Sequence, residues 1–174
     1  MNEHQLPSKW FVLGRVLLDL ITRHAPSFLL KRWFPVAKCR KRIELFANGV
    51  GPHLYVNPGR RAAVSHLKLW CYNYLPFEIR LDGIELEIQL GDQGLTRVSL
   101  TVRDRIHGYD KKPVVVSENY LTDSQAERVR QYPSDSAVLK ITGRTWIKSP
   151  AGDFEKQLDQ LETRPFIYRG EVPT

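Results

Sequence analysis

Between Leu67 and Thr142 apolar and polar residues take turns, and that alternation constrains the fold more than any other feature of the chain. Leu67, Leu69 and Cys71 alternate with His66, Lys68, Trp70 and Tyr72, and Phe77, Ile79 and Leu81 with Glu78, Arg80 and Asp82. Further on, Ile84, Leu86, Ile88 and Leu90 alternate with Glu85, Glu87 and Gln89. Val98, Leu100 and Val102 do the same with Arg97, Ser99 and Thr101, and Leu139 and Ile141 with Lys140 and Thr142. Successive side chains of a strand point to opposite faces, so each run predicts a strand with one face in a core and one in water. Turn chemistry lies between the runs at Asn57-Pro58-Gly59, Asp82-Gly83, Gly91-Asp92 and Pro150-Ala151-Gly152. Asp82-Gly83 in particular predicts a tight turn between two strands. Short strands at this spacing predict an all-β sandwich or barrel over residues 43–174.

One helix interrupts the strands. Thr122 followed by Gln125 forms a capping box, and residues 122–132 are rich in helix formers before Pro133. Leu121, Ala126 and Val129 supply few apolar contacts, so this helix is expected on the surface at one end of the sandwich.

Charge divides the chain at residue 42. Residues 1–42 carry nine Lys/Arg against Glu3 and Asp19, which accounts for the whole net charge of +7; the remainder is neutral. A basic head on a neutral body points to an anionic partner for the head. Within it, Lys9 to His24 predicts a helix, with Ser8 as N-cap and Pro26 closing the run. Trp10, Leu13, Val16, Leu17, Leu20 and Ile21 share one face, and Arg15, Asp19, Thr22 and Arg23 the opposite one. The spacings Arg15–Asp19 and Asp19–Arg23 support the polar face internally. A second apolar burst, Phe28, Leu29, Leu30, Trp33 and Phe34, encloses Lys31 and Arg32 and ends at Pro35.

A bilayer-spanning helix needs about 20 mainly apolar residues. Arg15, Asp19, Arg23 and His24 interrupt this one and Pro26 breaks it. No unbroken apolar stretch with a small-residue cleavage site reads as a secretory signal either. Two readings remain. In one, Trp10, Leu13, Leu17, Leu20, Phe28, Trp33 and Phe34 enter the headgroup boundary of an anionic membrane while Lys31 and Arg32 reach its phosphates. In the other, the amphipathic helix packs on its own domain or docks on a partner chain. Lys38, Arg40, Lys41 and Arg42 form a basic patch, but no nucleic-acid-binding fold accompanies it.

The chemistry-bearing residues form no catalytic or metal signature. His4, His24, His53, His66 and His107 lack metal-ligand spacing, and Asp104 with His107 reads as a solvated loop. Glu85 and Glu87 look like any solvated strand face. No phosphate-binding glycine loop or nucleophile elbow occurs, so no catalytic residue, metal or cofactor is expected. Cys71 sits on an inward face as an inert core thiol. Two cysteines, Cys39 and Cys71, form no disulfide framework and favour a reducing compartment, leaving a single bridge between them open. The expected location is therefore cytoplasmic, peripheral at the inner face of a membrane.

Two stretches carry a resemblance. Leu69 to Ile88 (LWCYNYLPFEIRLDGIELEI) places Asn73 before a Pro76-Phe77 pair, with Gly83 in the following run. Leu139 to Phe154 (LKITGRTWIKSPAGDF) has Gly143 before a second glycine turn at Gly152. Both resemble the recurrent strands of the type 2 late-embryogenesis-abundant domain, also called the water-stress and hypersensitive-response domain. The resemblance implies an immunoglobulin-like antiparallel β-sandwich of seven or eight strands and a non-enzymatic role near a membrane, linked to stress or lipid handling. It carries no catalytic residue.

Trp70, Tyr72 and Tyr74 form an aromatic row on the predicted outer face, which calls for a covering ligand, partner or segment. The N-terminal helix folding back is the simplest cover. The functional expectation is a non-catalytic binding module held at an anionic membrane surface by its N-terminal helix. The competing expectation is a soluble subunit of a protein assembly whose helix docks on another chain.

Overall fold

The alternating runs pair as their hydrophobic faces require. In chain order the strands are β1 (Ile43–Ala47), β2 (His53–Tyr55), β3 (Ala63–Asn73), β4 (Ile79–Leu90), β5 (Gln93–Ile106), β6 (Asp110–Tyr120), β7 (Leu139–Lys148), β8 (Phe154–Thr163) and β9 (Phe166–Tyr168). The computed structural model describes residues 9–47, 51–56 and 61–170, except for the side chains of residues 9–12, 15, 19, 22 and 23. The predicted turn at Asn57-Pro58-Gly59 and the Ser8 cap lie outside the described residues.

Two sheets stack into a sandwich. In the five-stranded sheet β3 is central: β6 runs antiparallel along one edge, while β1 and β2 share the other. β9 joins β2 in parallel at the rim. The second sheet has the order β5-β4-β7-β8, antiparallel throughout. The described residues form nine strands where the resemblance implies seven or eight; β2 and β9 have three residues each, and the other seven have five or more. Leu67, Leu69, Cys71, Val114 and Val116 from one sheet meet Ile84, Leu86, Ile88, Ile141 and Ile147 from the other in a continuous buried core. Burying each large side chain of this kind stabilises the fold by about 1.5–3 kcal/mol relative to leaving it in water.

The predicted turn at Asp82-Gly83 is a correction. β4 runs straight through it as one strand, and the pairing with both β5 and β7 shifts register between Leu81 and Gly83. Leu81 and Ile84 are three residues apart where their neighbours are two apart, and both are buried. A bulge absorbs the extra residue and keeps both halves facing the core. The compensating distortion on β5 falls at Arg103, whose φ is +56°.

Helices close the two ends. α1 (Lys9–His24) ends just before Pro26, as expected, and α2 (Ser27–Trp33) and α3 (Val36–Lys41) follow, each preceded by a proline at its N-cap. Leu30 and Cys39 are buried, and the Phe34 ring meets Phe77 edge-on at 5.3 Å. The secondary-structure switch therefore falls at Ile43, but α2 and α3 already contribute to the core.

At the opposite end α4 (Asp123–Gln131) has the expected capping box: Thr122 Oγ1 accepts from the Gln125 amide, and Gln125 Oε1 from the Thr122 amide. Ala126 and Val129 seal that end. Gly91 takes φ +60° in the β4–β5 turn, where a Cβ would run into the Tyr132 hydroxyl.

Asn73 ties the first end together. Its Oδ1 accepts from the Leu75 amide, a local turn bond, while its Nδ2 donates to the carbonyls of Phe77 (2.9 Å), Ile106 (3.2 Å) and His107 (3.0 Å). A fully buried amide thus links the ends of β3 and β5 and the chain leading into β4.

Candidate interaction surfaces

Two surfaces depart from an ordinary solvated exterior, and the first is the N-terminal segment. Along the apolar face of α1, Leu13 is 62%, Val16 63%, Leu17 57% and Leu20 57% exposed. Phe28 (67%) and Trp33 (46%) continue the apolar exposure along α2. Trp10 falls outside the described side chains. Phe34 differs from its companions, since its ring is packed into the sandwich end against Phe77. Lys31, Arg32, Lys38, Arg40, Lys41 and Arg42 are all exposed. Lys38 Nζ donates to the Trp33 carbonyl at 3.3 Å and lies 5.0 Å from the Phe34 ring centre. Helix spacing puts Cys39 inward between these cations, where its thiol meets the Phe34 carbonyl at 3.3 Å. No helix among the described residues is long and apolar enough to cross a membrane.

The second surface is the outer face of the five-stranded sheet. Of the predicted row, Trp70 and Tyr72 stand on β3 and Tyr74 directly follows its end, and the cross-strand pairing extends the row. Phe46 on β1 and Pro113 on β6 flank Trp70, and Lys111 flanks Tyr72. Tyr72 and Tyr74 stack at 5.9 Å, and Phe46 meets Tyr72 edge-on at 5.4 Å. Lys68 and Lys111 hold their ammonium groups 4.6 and 4.9 Å from the Trp70 ring centre. Such cation–π contacts contribute about 0.5–1 kcal/mol each at an exposed site.

Toward the other end of the same face His53 is ringed by Tyr55, His66, Phe166 and Tyr168, with centroids 4.9–5.8 Å away. His66 adopts φ +58°, and Ser65 Oγ lies 2.8 Å from its Nδ1. The alternation of β3 reveals Lys68 and Trp70 from sequence. Phe46 lies on β1, which the sequence reading does not single out, and His53, Tyr55, Phe166 and Tyr168 lie on strands of three residues, too short to show a period of two.

The expected fold-back of the N-terminal helix over this row does not occur. Leu13 and Leu17 face solvent, and the Trp70 ring instead lies under two lysines from its own sheet.

The outer face of the second sheet is a charge lattice. Arg80 and Lys148 share Asp82, Arg144 lies between Glu85 and Glu155, Lys140 pairs with Asp92, and Arg97 with Glu87. The cations hold the Asp82 and Asp92 carboxyls below their ordinary range, chiefly through side-chain hydrogen bonds. Asp104 and His107 are no dyad. Asp104 lies within β5 and pairs with Lys112 at 2.7 Å, while His107, just past the strand, faces Glu78 at 3.2 Å. Among the described residues no group of three or more His, Cys, Asp or Glu side chains could hold a metal ion. Cys39 and Cys71 are free thiols, both buried, so the bridge left open by the sequence does not form.

No family model and no curated protein matches the chain. Among solved structures, a target of the Northeast Structural Genomics Consortium aligns at TM-score 0.46 and 11% identity, covering 76% of this chain and 90% of that one. A protein from Archaeoglobus fulgidus aligns at TM-score 0.42 and 8% identity, covering 75% and 96%. An alkylpurine DNA glycosylase from Pseudomonas fluorescens, bound to DNA with an abasic-site analogue, aligns at TM-score 0.33 and 10% identity, covering 91% and 49%.

Proposed function

We propose that the protein is a non-catalytic binding module held at an anionic membrane surface through its N-terminal segment. The carrying observation is the exposure of Leu13, Val16, Leu17, Leu20, Phe28 and Trp33 within a segment that carries nine Lys/Arg against two acidic residues. An interfacial helix has this composition: large apolar side chains on one side, basic ones on the other, and too many charges to span. Both attractions act together, since buried apolar area and the negative potential of the leaflet each add to the affinity. The resemblance of residues 69–88 and 139–154 to the type 2 late-embryogenesis-abundant domain supports the same non-enzymatic, membrane-proximal role.

The test is co-sedimentation with vesicles. Because Leu30, Phe34 and Cys39 belong to the core, the segment is disabled by Leu13→Glu with Leu17→Glu instead of by deletion. The expected result is pelleting of the full chain with anionic vesicles but not neutral ones, reduced by added salt and abolished in the double variant. Equal pelleting of the two proteins, or none by either, refutes the proposal; the second outcome favours docking of the helix on another chain.

A further inference from the structure

We propose that the aromatic strip Phe46, Trp70, Tyr72 and Tyr74, with Lys68 and Lys111, is a second lipid-contacting surface that seats the sandwich flat against an anionic bilayer; it rests on the membrane reading above. Three observations carry it.

The first is unneutralised charge. Among the described residues neither Lys68 nor Lys111 has a carboxylate within ion-pair distance, whereas the second sheet's outer face pairs Arg80, Arg97, Lys140, Arg144 and Lys148 with acids. Two ammonium groups converge on the one Trp70 ring with no counter-ion among the described residues, and lipid phosphates would supply one. Glu44, opposite Tyr72, forms no ion pair with either lysine.

The second is ring orientation. Tyr72 stacks on Tyr74, Phe46 meets Tyr72 edge-on, and the lysines occupy Trp70. Ring faces already engaged leave little for the base stacking that single-stranded nucleic acid needs. Edges and hydroxyls remain, and those are what tyrosine and tryptophan offer at the headgroup level, with one end apolar and the other wet.

The third is continuity with the basic segment. The Tyr74 amide donates to the Arg42 carbonyl at 2.8 Å, so the strip begins where the basic patch ends. This backbone bond places the end of the basic patch directly beside the end of the aromatic strip.

Charge reversal tests this in the full chain with phosphatidylserine-containing vesicles. Lys68→Glu with Lys111→Glu should weaken binding about tenfold or more, two reversals removing two favourable contacts and adding two unfavourable ones. Arg97→Glu with Arg103→Glu makes the same change in net charge on β5 of the opposite sheet and should weaken it far less. Equal losses in the two pairs would mean bulk charge alone matters and would overturn the proposal. Unchanged binding by the Lys68/Lys111 pair, with the Leu13/Leu17 variant still defective, would also overturn it, leave the anchor intact and assign the strip to another partner. Failure of the unaltered chain to bind would remove both readings together.

Discussion

Single residues in this protein are set by what their neighbours allow, and Cys71 shows the effect on chemistry. Buried between the sheets, its thiol is pushed up to about 12 by desolvation, against a slight pull from Lys156. Cys39 is raised for the same main reason, with Lys38 opposing. The thiolate is the reactive form, so neither cysteine should react with thiol reagents in the native protein at neutral pH, and both should react once it unfolds. The unfolded chain releases the Cys71 proton near 9 and the folded one only near 12. Between these values the unfolded state binds fewer protons, so the thiol's contribution is whole below pH 9 and declines as the pH rises toward 12. The slope reaches about 1.4 kcal/mol per pH unit. Urea midpoints of the native chain and of Cys71→Ala should therefore converge between roughly pH 9 and pH 11, the difference cancelling the other titrating groups. Parallel midpoints across that range would show the thiol to be solvated.

Elements were legible where their period was long enough to read. The alternation of β3, β4 and β7 and the Thr122–Gln125 capping box appear in the sequence because each is a local pattern of side-chain direction or cap chemistry. The two-way character of Asp82-Gly83 is not local. The dipeptide suits a hairpin turn, but whether the chain reverses or bulges depends on whether Ile79 to Leu90 finds continuous partners, and β5 and β7 supply them. The three-residue step from Leu81 to Ile84 was the available signal. Likewise β2 and β9 show no period, and their aromatics become a cluster only through long-range pairing. Deleting Asp82 alone shortens the step from Leu81 to Ile84 to two residues, so a regular strand holds both on the core face without a bulge and a cooperative unfolding transition should survive. Deleting Asp82 and Gly83 together makes Leu81 and Ile84 adjacent, turns one half of β4 to solvent and should abolish that transition. A double-deletion variant that unfolds as cooperatively as the parent would contradict the role given to the bulge.

Across the whole molecule, charge, apolar exposure and aromatic exposure are unevenly shared, and each is concentrated where the sandwich has an unpartnered face. The second sheet is covered by paired charges, α4 and Tyr132 close one end, and α2 with α3 close the other. α1 has 16 residues and exposes Leu13, Val16, Leu17 and Leu20, and at about this length a helix without tertiary support is marginal in water. Contact with lipid would supply that support, which makes the helix itself the reporter. Hydrogen exchange of the full chain, with and without anionic vesicles, measures this directly. The account predicts rapid exchange of the amides of residues 13–24 in buffer and slowing of about tenfold or more with anionic vesicles, but not with neutral ones. Exchange at those amides that is indifferent to anionic vesicles would contradict the account and return the N-terminal helix to a protein partner.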